Sequence, residues 1–239
     1  NNGIIDVQLG QDRSDRWGDG KLAEHFIYNE ALGNAHINII RNYLGAKYQI
    51  DLGSNDMYLH DDIYRFNLGG IGRENEFDLH QDAQGTGIVR VNNPNSFDDG
   101  DYFMWADNNE SYSNWIPNVL PFETKMISRI WQVEEVGTIE SVDVRIALET
   151  LPENDLEYAV LISTQPDFSQ NNEAYKMSLV EDTLISTIDF SDDAYFTIIA
   201  ANDLQIQLIN EGYSSLTLTI YPSFSFGEFQ VVISDENIL

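Results

Sequence analysis

From Gln49 to Ala200 the chain is a succession of short apolar and aromatic runs. Each is ended by Asp, Asn, Gly or Pro before it is long enough to make a helix. The runs cover 64–68, 87–91, 101–105, 125–133, 140–148, 157–163, 175–179, 184–188 and 195–200. That texture, at the spacing of a sandwich or barrel, predicts a mainly β fold: an antiparallel, jelly-roll-like β-sandwich. The alternation is cleanest over 141–148, where a period of two places Val142, Val144, Ile146 and Leu148 on one face.

One N-terminal helix precedes this body. Asn34 can cap it, Ile37, Ile40, Leu44 and Tyr48 recur three to four residues apart, and Lys47 suits the negative end of the helix dipole. Before it, 4–9 and 21–28 read as strands around a loop that carries Asp12, Asp15 and Asp19. After Ala201, 203–210, 215–220 and 228–233 also read as strands. The expected organisation is therefore 1–50, 51–200 and 201–239, the last an appendage or incomplete module with edges open to pairing. A chain that opens on Asn1 and stops just after a strand-like run reads as a processed or truncated piece.

Charge excludes partners. The 239 residues carry 40 acidic and 12 basic side chains, a net charge of -28, and beyond residue 145 the only base is Lys176. Nonspecific binding to nucleic acid or an anionic membrane is strongly disfavoured. With 42% hydrophobic residues this is a folded domain with an acidic surface rather than a disordered acidic tail. No stretch is apolar enough for direct membrane insertion. Without cysteine there is neither a disulfide framework nor a thiol nucleophile.

Three stretches resemble known families. Leu22-Ala23-Glu24-His25-Phe26-Ile27-Tyr28-Asn29 with Tyr43-Leu44-Gly45-Ala46-Lys47-Tyr48-Gln49-Ile50 is similar to the last strand and following helix of concanavalin-like (LamG-type) jelly rolls in large Bacteroidota surface proteins. Gln49 stands where glycine is usual there. Gly70-Ile71-Gly72-Arg73, Asp99-Gly100-Asp101-Tyr102-Phe103-Met104-Trp105, Arg129-Ile130-Trp131-Gln132-Val133 and Asp189-Phe190-Ser191-Asp192-Asp193-Ala194-Tyr195 resemble the β-rich domain of unknown function that follows that helix. The likeness covers about residues 50–200. It implies a secreted or surface-attached multidomain protein, extracellular, and supplies no catalytic residues. Leu218-Thr219-Ile220-Tyr221-Pro222-Ser223-Phe224, ahead of Gly227, resembles the opening of a type IX secretion sorting domain, with Ser223 and Phe224 in place of the usual Asn-Pro.

Two groups of residues carry chemistry. Asp98, Asp99, Asp101 and Asp107 lie in loops of Asp, Asn and Gly that flank one strand, and hard oxygen donors with glycine turns suit calcium. The plainer reading is turn caps and solvated acids. Asp61-Asp62 and Asp189/Asp192/Asp193 are further acidic groups, and the histidines, His25, His36, His60 and His80, show no metal-ligand spacing. Tyr112 and Trp115 fall in a polar stretch where exposed rings could stack on a sugar, whereas Trp105 and Trp131 read as core. Gly69-Gly70-Ile71-Gly72 lacks the βαβ setting of a nucleotide loop. Paired carboxylates of a glycosidase arise by chance in so acidic a chain.

The expected function is a noncatalytic structural or adhesive module of an exported cell-surface protein, in contact with other modules or with copies of itself. The alternatives are a carbohydrate-binding module for polysaccharide and a subunit of an extracellular filament built by strand exchange.

Overall fold

The computed structural model describes residues 21–117, 124–210, 217–222 and 229–234. The chain divides into two units, 1–32 and 33–239. In the first, 21–32 forms neither helix nor strand, and Leu22 and Ile27 are exposed. The strand expected over 21–28 is thus not formed. Alternation alone does not make a strand: its backbone groups need a ladder, and no strand among the described residues pairs with this stretch. The strand expected over 4–9 and the acidic loop 12–19 lie outside the described residues.

The second unit opens with α1 (Asn34–Tyr48), β1 (Phe66–Asn75), β2 (Asp78–His80), β3 (Asp82–Ala83), β4 (Arg90–Asn92), β5 (Tyr102–Asp107), β6 (Trp115–Pro117) and β7 (Lys125–Ile127). It continues with β8 (Trp131–Val136), β9 (Val142–Ala147), β10 (Glu157–Ser163), β11 (Glu173–Lys176), β12 (Ser178–Val180), β13 (Thr183–Ile188) and β14 (Tyr195–Ala201). Last come α2 (Asp203–Asn210) and a hairpin of β15 (Thr217–Pro222) and β16 (Phe229–Ser234). The fold is mainly β and antiparallel, with a helix at its N-terminal end.

Nine strands form one sheet in the order β11-β10-β14-β8-β5-β1-β2, with β7 joined to β14 and β6 to β7. Five form the other, in the order β12-β13-β9-β4-β3. Their facing sides share one apolar core, in a sandwich-like arrangement. Phe103, Trp105, Trp131, Val133, Val160, Phe196 and Ile198 come from the large sheet, and Val91, Val142, Val144, Ile146, Leu184 and Ile188 from the small one. The face expected for 141–148 is the one buried, with Leu148 partly so, and Trp131 stacks on Phe196 with centroids 5.1 Å apart.

The large sheet is buried on its other face too, so β5 reads as an unbroken run of buried residues. Tyr102, Met104 and Ala106 of β5 meet α1 through Ala46, Ile39 and Tyr43, while Leu161, Ala159 and Ile199 meet α2 through Ile206 and Ile209. Gly69 and Gly72 of β1 pair with Trp105 and Tyr102. A Cβ there would stand 2.6 Å from the indole and 2.3 Å from the phenol ring. These glycines make room for aromatic rings.

Several expectations are corrected by tertiary partners. The helix runs as expected, but Gly33 rather than Asn34 is the cap residue. Asp78 of β2 accepts the Asn34 and Ala35 amides at 2.7 and 3.1 Å, and a Cβ on Gly33 would lie 2.1 Å from that carboxylate. The buried face of α1 is Ala35, Asn42, Gly45 and Ala46, not the stripe ending at Tyr48, which is exposed. Ala46 joins a cluster with Leu68 of β1, Leu52 closes on Gly45, and Asn42 is buried by bonds to the Asn55 carbonyl and the Met57 amide.

The run 125–133 splits into β7 and β8, both of which pair with β14. The run 175–179 splits between the two sheets at buried Met177. The strand expected over 203–210 is the helix α2. Asn202 and Gln205 make a reciprocal capping box, each side chain accepting the other's amide at 2.9 and 2.8 Å, and Ile206 and Ile209 are buried one turn apart. The strands expected over 215–220 and 228–233 fall on β15 and β16 where described.

Candidate metal centre

Along β8, Trp131 and Val133 point into the core between the sheets, so Gln132 and Glu134 occupy the opposite face. Both are buried, covered by the segment that leads from α1 to β1. Within that segment Tyr58 is fully buried and hydrogen-bonds the Gln132 carbonyl at 3.4 Å, and Tyr64 packs on Tyr195 with centroids 5.4 Å apart. Between them His60 is held edge-on to Tyr58, centroids 5.6 Å apart. On the other side, the turn before β14 carries Asp193.

These three stretches bring His60, Glu134 and Asp193 together, with ligand atoms all within 4.8 Å of one another. His60 Nε2 is 3.0 Å from Glu134 Oε2 and 2.9 Å from Asp193 Oδ1. Glu134 is buried, His60 half-buried and Asp193 exposed. Burial opposes the charged imidazole, but Glu134 and then Asp193 outweigh it and raise His60 above its ordinary value. One nitrogen and two carboxylate oxygens are a donor set that can hold a metal ion. Glu134 Oε2 also accepts the Leu59 amide at 3.3 Å, and the Gln132 side chain reaches the Asp193 carbonyl at 3.5 Å.

The acids expected to ligate calcium do not all meet at one point: Asp98, Asp99 and Asp101 share one turn, and Asp107 lies apart from it. Asp101 and Asp107 stand at opposite ends of β5, roughly 20 Å apart along an extended strand. Buried Asp101 closes a turn, accepting the Asp98 amide at 2.7 Å, and Asp99 pairs with Arg73 at 2.8 Å. Asp107, fully buried, accepts from Asn67 (3.0 Å), the Asn109 amide (2.8 Å) and Arg129 Nη1 (3.2 Å). Burial raises its carboxyl above the ordinary range against the pull of Asn67 and Arg129.

Tyr112 is half-buried with the Arg129 guanidinium 4.7 Å from its ring centre. Trp115 is half-buried, donates from Nε1 to the Glu153 carbonyl at 3.1 Å and packs on Tyr158. His36 and His80 meet each other at 4.4 Å between centroids, and burial, helped by His36, lowers His80. Asp192 accepts the Glu135 amide at 3.0 Å.

Residues 36–195 match the domain of unknown function DUF8202. The chain belongs to that family. No curated protein and no solved structure matches it. The stretch that defines the DUF8202 domain contains His60, Glu134 and Asp193 together with most of both sheets. Among the described residues no helix is long and apolar enough to cross a membrane.

Spacing could not reveal this centre, because its members come from a loop, a strand and a turn far apart in sequence. One signal was available: Gln132 and Glu134 interrupt the outer side of a strand whose neighbours are apolar, which marks a polar site under cover.

Proposed function

We propose that this DUF8202 domain is a noncatalytic, jelly-roll-like structural module of an exported, extracellular surface protein, placed between other modules or copies of the chain. The observation that carries the reading is how its reactive side chains are used. Asp107, Arg129 and Tyr112 clamp the loop after β5 to the turn before β8, Arg129 also donating from Nε to the Glu110 carbonyl at 2.6 Å. Trp115 secures the loop around Glu153, and Asp101 holds its own turn. Groups of these types serve a binding or catalytic site when they converge on a cleft; here each is turned to a neighbour in its own fold. The acidic surface and the resemblance to modules of secreted proteins agree with display outside the cell.

The test is titration calorimetry of the purified chain against a panel of soluble polysaccharides, with Trp115→Ala and Tyr112→Ala beside it. No saturable heat is expected. Saturable binding lost in either variant would overturn the reading in favour of a carbohydrate-binding module.

A filament subunit is the second reading, favoured by β12. This edge strand of the small sheet leaves Leu179 and Val180 more than half exposed. A row of free backbone groups beside apolar side chains is the surface that strand addition uses. Concentration-dependent assembly abolished by Val180→Lys would establish it.

A further inference from the structure

We propose that His60, Glu134 and Asp193 form a binding site for a divalent transition metal of the zinc class, which pins the segment before β1 to the outer face of the large sheet. The chemistry of the donors selects the ion. Calcium and magnesium take oxygen ligands, whereas an imidazole nitrogen beside two carboxylates suits zinc, nickel or cobalt. For bonds of about 2.0–2.1 Å, ligand atoms 2.9 and 3.0 Å apart subtend close to a right angle at a shared ion, the octahedral angle, and a tetrahedral zinc would open them to about 3.3 Å.

A separate observation concerns the imidazole nitrogen. His60 Nε2 is sealed from solvent and lies within 3.0 Å of both carboxylates, yet makes an aligned hydrogen bond to neither. A buried polar atom in that position lacks its proper partner. Placed between two carboxylates, the nitrogen can offer its lone pair to a cation once its proton is released. The supports a metal ligand needs are also present. Tyr58 sets the imidazole edge-on, the Leu59 amide bonds the carboxylate oxygen that faces His60, and Gln132 reaches the turn that carries Asp193. The site is distinct from the calcium loops expected around β5, since none of Asp98, Asp99, Asp101 and Asp107 belongs to it.

Binding to the folded chain alone adds to its stability. The full chain, stripped with EDTA and dialysed, is titrated with zinc, with calcium and with magnesium by calorimetry, and its thermal midpoint is followed in parallel. One zinc per chain is expected. At a hundredfold excess over Kd it should raise the midpoint by roughly 5–10 °C. Calcium and magnesium should have no such effect. His60→Ala and the exposed-turn variant Asp193→Asn should each lose at least about tenfold in zinc affinity. Asp99→Asn should lose none, and circular dichroism should show every variant folded as the parent is. Absence of zinc binding, unchanged affinity in folded His60→Ala and Asp193→Asn, or equal binding of calcium would overturn the proposal. Because Asp193 is exposed, its substitution keeps the test decisive even where removal of His60 disturbs the fold.

Discussion

Two polar clusters sit beside the same stretch of β8 and differ in how their hydrogen bonds close. Around Asp107 one carboxylate meets a guanidinium, an amide side chain and a backbone amide, and the guanidinium goes on to a carbonyl and an aromatic face. Donors and acceptors match, and a positive charge offsets the negative one. Around His60 two carboxylates face one imidazole, and its shielded nitrogen aligns with neither. The first arrangement is complete within the chain. The second has spare negative charge and an unaligned nitrogen, the state in which a protein site accepts a cation. A buried acid is therefore no guide to metal binding; what counts is whether the chain itself has already supplied its partners.

Breaking the complete cluster should have the largest effect. Arg129→Met, which strands the buried Asp107 charge, is expected to cost about 3–5 kcal/mol in urea unfolding. Pairing it with Asp107→Leu should recover most of that loss, since the uncompensated charge is what destabilises. A single variant no less stable than the double would show that the pair is not the lock described.

Glu134→Gln on the other cluster should cost less, about 1–2 kcal/mol in metal-free protein, because the amide oxygen can still accept from Leu59. A cost as large as that of Arg129→Met would erase the contrast between the two sites.

Alkali should separate the clusters by another route. Burial pushes Tyr64 up to about 12, and it raises Tyr58 well above its ordinary value. The folded chain therefore holds these protons more tightly than the unfolded chain does. Their contribution is complete below the ordinary tyrosine value near 10 and is lost as pH rises toward 12. Both flank His60, so tyrosinate absorbance should report loosening of that segment before the Asp107 clamp gives way. Tyr64→Phe should flatten the alkaline fall in stability; an unaltered profile would rule this tyrosine out as its source.

The smallest effect belongs to an exposed pair. Arg90 hydrogen-bonds Asp82 from Nε at 2.6 Å and holds that carboxyl below its ordinary value. The contribution is present above the unfolded value and is lost as pH falls through the lower folded one. Arg90→Ala is expected to cost under about 1 kcal/mol in low salt and less in high salt, as measured by denaturation at both ionic strengths. A loss matching that of Arg129→Met would mean that exposure does not separate the two pairs.

What the sequence determined by itself was local and periodic. The alternation over 141–148 specified the buried face of β9, Trp105 and Trp131 were legible as core, and the extent of α1 followed from its pattern. These features could be read because side-chain period and apolar content are properties of the segment, and in these cases the tertiary partners agreed with them. Tertiary structure decided what depends on a partner. Residues 21–28 and 203–210 both carry strand-like patterns, yet the first finds no ladder among the described residues. The second becomes α2, because its capping box and the cover it gives to the large sheet outweigh alternation.

The same reason separates the expected site from the one found. Acids adjacent in sequence are read together, but an extended strand carries Asp101 and Asp107 to opposite ends of β5. His60, Glu134 and Asp193 share no spacing and meet only because the segment before β1 folds over β8. Which donors converge is settled by packing, and packing is not written in the distance between residues along the chain.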